Sequence, residues 1–408
     1  MSYPVSTSTS RHHRTTFMCS GFALFALIVG TNMPSPFYAV YAEQFDFSPL
    51  TLTLIFAAYT GALIPTLLFA ASLAETLGYR RVLVPGFALA VAGTVVFAAA
   101  ESVGMLVVAR VLQGVAVGVS SGALTAALTQ TAGEGKSSLG STIASVTTTT
   151  GGGLGPVIAG FCAVVLPAPT RTTYLIEVGV LLLAAVGLFS LPAGLGRTGA
   201  RWHPRLPQIP QIPAQKRAFF TACAVSFTGW AVTAVFLSIV PTYVTTLTGN
   251  DSLLVAGMAA GLVLVVAAAI QPFVAHLRGD TLERAGLMAL ALGLVALLVA
   301  GMTQSLGVVL LSAVVAGVGQ GMGFMGAMRQ SAEVAPDGAE AATASAFYVA
   351  TYVGVGLPTI GVGLLATWLG TVMAVDIFAG VILVLSVGVV VGVRPGRQRT
   401  VGSSGPAR

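Results

Sequence analysis

Long apolar runs follow one another along the chain, separated by short polar breaks. A bilayer core about 30 Å thick needs about 20 apolar helical residues to cross it. Twelve runs reach that length, at residues 17–41, 50–74, 82–100, 104–128, 138–166, 172–192, 218–244, 252–275, 285–303, 306–329, 341–369 and 371–393. Only the break from Ala193 to Arg217 is long, polar and rich in proline, with Pro204, Pro207, Pro210 and Pro213. The pattern predicts an all-α polytopic membrane protein, twelve transmembrane helices in two six-helix bundles. The bundles are expected at residues 17–192 and 218–393, joined by a linker at 193–217, with tails at 1–16 and 394–408. The first run is longer than the apolar stretch of a secretory signal and has no convincing cleavage site, so it reads as a retained span.

Composition agrees: 55% of the 408 residues are hydrophobic and 8% charged, against about 25% charged in ordinary soluble domains. The net charge of +6 does not suggest nucleic acid, because the basic residues lie between apolar runs and form no patch interleaved with aromatics. Cationic residues instead set orientation, since cytoplasmic loops collect Lys and Arg. With the N-terminus inside, all 19 of them except Arg110 and Arg171 fall on the cytoplasmic side. Arg110 is within a span and Arg171 is outside. Both termini and the linker are therefore expected in the cytoplasm, and the chain in the cell membrane. Cys19, Cys162 and Cys223 stand singly in apolar sequence and read as fillers, not as disulfides or metal ligands. No HExxH, GxSxG or intramembrane His/Asp cluster is present, so no metal, cofactor or enzymatic activity is expected.

The two halves repeat at an offset of about 205 residues. Pro36-Phe37-Tyr38 falls on Pro241-Thr242-Tyr243, Glu75-Thr76-Leu77 on Asp280-Thr281-Leu282, Gly114 on Gly319 and Gly118 on Gly323, and Pro156 meets Pro358 after a three-residue slip. Several matches at one offset indicate a duplicated parallel unit, the kind of repeat that encloses a central site in secondary transporters.

Three stretches stand out within this frame. The turn Ala71-Ser72-Leu73-Ala74-Glu75-Thr76-Leu77-Gly78-Tyr79-Arg80-Arg81-Val82-Leu83 joins the second and third runs. It resembles the G-x-L-A-D-R-x-G-R-R-x-x-L loop of the major facilitator superfamily, with Ala71 and Thr76 as departures. Arg110-Val111-Leu112-Gln113-Gly114-Val115-Ala116-Val117-Gly118 resembles that superfamily's R-x-x-Q-G-x-x-x-G stretch in span four. Thr147 to Gly160 runs four threonines into a glycine-proline segment. It satisfies neither nucleotide-binding glycine pattern, and resembles the G-x-x-x-G-P-x-x-G-G motif of span five. In that superfamily this last motif is associated with exporters that exchange substrate for protons.

The resemblance implies the major facilitator fold, alternating access, and the drug:proton antiporter branch. It further implies that Glu75, Arg80 and Arg81 latch two helices in one state, and that Arg110 and Gln113 gate proton exchange. Independently, a guanidinium inside a bilayer needs a cavity, carbonyls or a carboxylate, the alternative being that Arg110 snorkels to the outer interface. The glycines let helices approach closely and Pro156 permits a bend, the plainer reading of Gly155 and Pro156 being ordinary packing.

In the superfamily, spans one, four, seven and ten line the cavity. Here that nominates Asn32, Phe37, Tyr38, Ser121, Thr228, Trp230, Gln320, Phe324 and Met325, an adaptable apolar surface with a few orienting polar groups. A small amphipathic organic substrate is expected, with protons and the lipid bilayer as the other partners and a monomer as the working unit. The acids taken to lie within spans are Glu177 and Asp376, the candidates for carrying the coupling proton. The alternatives are proton-coupled uptake, and a non-transporting sensor or scaffold on the same fold.

Overall fold

The computed structural model describes residues 7–133, 137–198, 207–249, 251–336 and 339–392. The expectations for Lys136, Arg201, Arg205 and the basic residues of the C-terminal tail fall outside them. Among the described residues, twelve helices are long and apolar enough to cross a membrane. Span one is Thr7–Asn32, continuing through the turn Ser35–Phe37 into the short helix Tyr38–Phe45. Span two is Pro49–Leu77, three Tyr79–Ala98, four Val103–Thr131, five Ser137–Val165 and six Pro169–Gly187. Span seven is Pro213–Ser238, continued by the helix Val240–Thr248. Spans eight to twelve are Leu253–Val274, Gly279–Thr303, Leu306–Glu333, Glu340–Leu369 and Thr371–Gly392. An even number of crossings puts both ends of the chain on one side of the bundle, the near side below. The opposite side is the far side.

Local sequence explains where these helices start and break. Pro49, Pro169 and Pro213 open their helices, at the position where a missing amide hydrogen costs nothing. Ser48 caps span two by accepting from the Thr51 amide at 3.2 Å. Pro34 and Pro36 break span one, and Pro241 sits just past the break in span seven, at the repeated position. One boundary differs from expectation in a way that matters. Span nine starts at Gly279, six residues earlier than its apolar run, so Glu283 is inside the helix and 1% exposed. Glu177 and Asp376 are therefore not the only acids within spans.

Span four packs on spans one, two, three and five of its own half, and span ten on seven, eight, nine and eleven of the other. The halves meet along two seams, span five against eight and span two against eleven. In the first, glycines bring the two backbones close together. A methyl group on Gly153 would lie 2.6 Å from the Val265 amide and 2.7 Å from the Gly261 carbonyl, and one on Gly160 2.6 Å from the Leu253 carbonyl. Gly257 lies against the Pro156 carbonyl. In the second seam the Leu50 amide donates to Thr367 Oγ1 at 3.1 Å, Thr53 fills the space over Gly363, and Thr60 rests on Gly356.

On the far side, Ser35 Oγ donates to the Leu237 carbonyl, and the short helices that follow spans one and seven touch. This conformation is thus closed on the far side.

The seam makes a direct prediction. A leucine at Gly153 has to displace the backbone of span eight, whereas Gly179 on span six has nothing within 4 Å of where a side chain would begin. Overpacking of this kind costs about 1–3 kcal/mol. Gly153→Leu is expected to lower the melting temperature of the purified protein clearly, and Gly179→Leu to leave it unchanged or raise it.

Candidate functional site

Arg110 is 2% exposed and its donors point into the N-terminal half. Its Nε donates to Tyr38 Oη at 2.6 Å, and one Nη donates to the Thr31 carbonyl at 2.6 Å and to Gln113 Oε1 at 3.0 Å. The carbonyl of Thr31 is free because the helix of span one ends at Asn32, just before Pro34. Four rings surround the guanidinium, with centroids 5.4 Å away for Tyr38, 5.7 Å for Phe56, 5.9 Å for Tyr59 and 5.5 Å for Phe97. Cation–π attraction and carbonyl hydrogen bonds together replace a carboxylate partner. Snorkelling to the interface does not occur here.

Gln113 extends the network. Its Nε2 donates to the Gly30 carbonyl at 3.3 Å. The absence of a side chain at Gly30 admits another group: a methyl group there would sit 2.5 Å from Glu177 Oε1. Glu177 is 2% exposed, and its Oε1 is buried without a hydrogen-bond partner. A buried acid on span six, the backbone of span one and the amide and guanidinium of span four are therefore in sequence, with Gly30 between them.

The other nominated residues are distributed as follows. Phe37 and Tyr38 are fully buried. Phe37 packs edge-on to Tyr174 at 5.8 Å, inside its own half, while Tyr38 serves Arg110. Asn32 donates back to the Ile28 carbonyl at 2.9 Å. It packs on Gly155, whose missing side chain leaves room for the Val29 carbonyl and Asn32 Cβ. Gly155 thus faces span one, while Gly153, Gly160 and the Pro156 carbonyl face span eight. Ser121 is half-buried on span four. In the other half Thr228 donates to its own helix at Ala224 and Val225, both 3.0 Å. Trp230, Phe324 and Met325 are half-buried and Gln320 is 3% exposed, its Oε1 lying over Gly229. Asp376 is at the far end of span twelve, where its carboxylate and the Tyr243 hydroxyl flank Gly301.

The turn between spans two and three is tied to the segment that follows span six. Gly78 takes φ +90° to make the turn. The Tyr79 amide donates to the Leu195 carbonyl at 3.0 Å, and the Thr198 amide to the Glu75 carbonyl at 2.9 Å. Arg80 lies over the Phe189 ring at 4.7 Å, and Arg81 is exposed.

The sequence profile of the Major Facilitator Superfamily matches residues 20–357. The chain belongs to the Major Facilitator Superfamily. No curated protein sequence matches it. Among solved structures it is similar to a POT family transporter in complex with 5-aminolevulinic acid, at TM-score 0.76 and 12% identity over 94% of this chain and 96% of that one. It is also similar to a peptide transporter, at TM-score 0.75 and 14% identity over 93% and 94% of the two chains. A nucleoside transporter aligns at TM-score 0.73 and 12% identity over 93% of this chain and all of the other. At such identities the likeness is one of fold. Membership of the superfamily makes this a multi-pass membrane transporter of the secondary kind and not an enzyme.

Gly30, Phe56, Tyr59, Phe97 and Glu283 were not apparent from sequence. A ring or glycine on a different span carries no local signal of what it faces, and Glu283 lay outside the apolar run used to bound span nine.

Because Arg110 is held from inside, its loss should damage the fold of the N-terminal half. Hydrogen bonds to a charged group contribute about 1.5–3 kcal/mol each. Arg110→Lys keeps the charge but not the fork, and is expected to destabilise by about 2–4 kcal/mol, with Tyr38→Phe costing less. Thermal unfolding in detergent measures both. Unchanged melting of Arg110→Lys would show that the guanidinium network is not formed.

Proposed function

We propose that this transporter exports a small amphipathic organic compound, drug-like or a metabolite, in exchange for protons, alternating between states by rocking its two halves about the seams. Each chain holds both halves, and we propose the monomer as the working unit, in the cell membrane with both termini cytoplasmic. The observation that carries the coupling is the run Glu177, Gly30, Gln113, Arg110. An acid enclosed in an apolar bundle without a cationic partner is costly to ionise. A change in its protonation is felt at once by the backbone of span one, and through Gln113 by the buried arginine of span four.

In this reading, protonation of Glu177 lets span one lie close against span six, and loss of the proton strains that contact and shifts the bundle. Asp376 beside Tyr243 would be the second protonatable position, at the far side. Export over uptake is favoured by the glycine-proline seam. A seam with glycines at its closest points gives a tight, dry closure through which protons do not leak while the substrate site faces the other way. The turn at Glu75, Arg80 and Arg81 would steady the near side in this cycle, through its hold on the segment following span six.

Everted membrane vesicles test direction and coupling together. An imposed pH gradient, acid inside, is expected to drive accumulation of a transported compound. Accumulation under the opposite gradient would mean uptake by symport, and none under either would remove proton coupling. Glu177→Gln should abolish substrate-driven proton flux in liposomes while leaving binding, and unchanged flux would overturn its role. Gly155→Leu, which presses on span one and not on the inter-half seam, should fold yet lose at least about tenfold in coupled export, about 1.4 kcal/mol. Wild-type export from it would return Gly155 to ordinary packing.

A further inference from the structure

A row of rings runs through the C-terminal half from span seven across ten to eleven. Trp230 meets Phe324 edge-on, centroids 5.5 Å apart at 84°, and Phe324 lies nearly parallel to Phe347 at 6.1 Å and 28°. Phe347 meets Tyr348 at 5.8 Å and 69°, and Tyr348 lies nearly parallel to Tyr352 at 6.5 Å and 29°. Phe347 is buried, whereas Trp230, Phe324, Tyr348 and Tyr352 are half-buried. Tyr352 packs against the apolar clusters of both halves, so the row reaches the central boundary between them.

Two hydroxyls beside the row are already committed, and two other polar groups there are not. Thr228 is bonded to its own helix, and Ser226 is bonded to Thr351 at 2.7 Å. Trp230 Nε1 and Gln320 Oε1, however, are buried without partners. Gln320 is one helical turn before Phe324, and its Oε1 lies over Gly229, the residue next to Trp230. An indole N–H can only donate and an amide oxygen can only accept. Two unsatisfied groups of opposite sense beside stacked rings call for a ligand that completes them, because a buried polar group without a partner is unfavourable.

Charge narrows the ligand further. Spans seven, ten and eleven carry acids only at their near ends, Glu333 and Glu340. A cationic ligand would gain some attraction from the rings, which is small beside the cost of a desolvated cation lacking a counter-charge.

We propose that the row is a binding site for a flat, uncharged heteroaromatic compound with a lactam edge, a carbonyl beside a ring N–H. Its carbonyl accepts from Trp230 Nε1, its N–H donates to Gln320 Oε1, and its ring lies along the aromatic row. The proposal rests on the reading of the protein as a carrier of small organic molecules, and it does not depend on the direction of transport or on proton coupling.

The chain contains only three tryptophans, and Trp368 is 73% exposed on span eleven. The double variant Trp202→Phe, Trp368→Phe therefore leaves Trp230 as the sole indole reporter in the full-length protein. In detergent, with no pH gradient, 2-quinolinone is expected to quench its emission saturably. N-Methylquinolinium, of the same shape but cationic, and 2-methoxyquinoline, lacking the N–H, should bind at least tenfold more weakly. Gln320→Leu, with Gln320→Met as the second variant should the first fail to fold, should bring 2-quinolinone within threefold of 2-methoxyquinoline. No saturable quenching by 2-quinolinone, equal or tighter binding of the cation, or an intact preference after loss of the Gln320 amide would each overturn the site. A failure of export in vesicles leaves these binding results standing, so the two readings fail separately.

Discussion

The contact on which the joining of the two halves most depends is a line where two backbones nearly touch. Spans five and eight approach each other with glycine facing glycine or carbonyl, at Gly153, Gly160, Gly257 and Gly261. Lipid tails are as apolar as leucine, so helices in a bilayer gain little from burying hydrophobic surface and associate through close van der Waals fit and occasional polar contacts. Under the proposed cycle, a seam with glycines at its closest points lets the halves pivot with few side chains to unlock. The second seam, between spans two and eleven, is built differently, with threonines over glycines at Thr53 and Gly363 and at Thr60 and Gly356. The duplication therefore preserved the architecture while the two seams diverged in chemistry.

Within each half the problem is the reverse. There polar groups are enclosed, and each needs a partner that the bilayer does not supply. Arg110 finds its partners in a helix end and a tyrosine of span one, and its charge is spread over four rings. The break at Pro34 and Pro36 is what exposes the Thr31 carbonyl. The same stretch of span one carries Gly30, which accepts from Gln113 on one side and is covered by the Glu177 carboxyl on the other. Span one is thus the element through which the acid and the arginine are related, and it also donates from Ser35 to close the far side against span seven. Under the proposed coupling, a local change in proton occupancy and a global change in which side is closed would share one helix.

The twelve spans were legible in the sequence, which also singled out Arg110, Gln113 and the Thr147 to Gly160 stretch. Hydrophobic run length and interrupted composition report directly on crossing a bilayer. The partners were not legible. Nothing about Gly30 in sequence distinguishes it from Gly179, yet the first abuts a buried carboxyl and the second abuts nothing. Phe37 and Tyr38 were expected beside substrate because they are on span one, but the turn at Ser35–Phe37 rotates them into the bundle. Gly155 and Gly153 read as one motif, and the helical turn sends them to different neighbours. Glu283 was missed because an apolar run does not mark where a helix begins.

If Glu177 couples export to protons, binding of a transported compound displaces its proton. The direct measurement is the proton released to weakly buffered detergent solution when a transported compound binds the purified protein. Release is expected on binding to the wild type and none for Glu177→Gln at unchanged affinity. Proton uptake on binding, or equal release from both proteins, would contradict it.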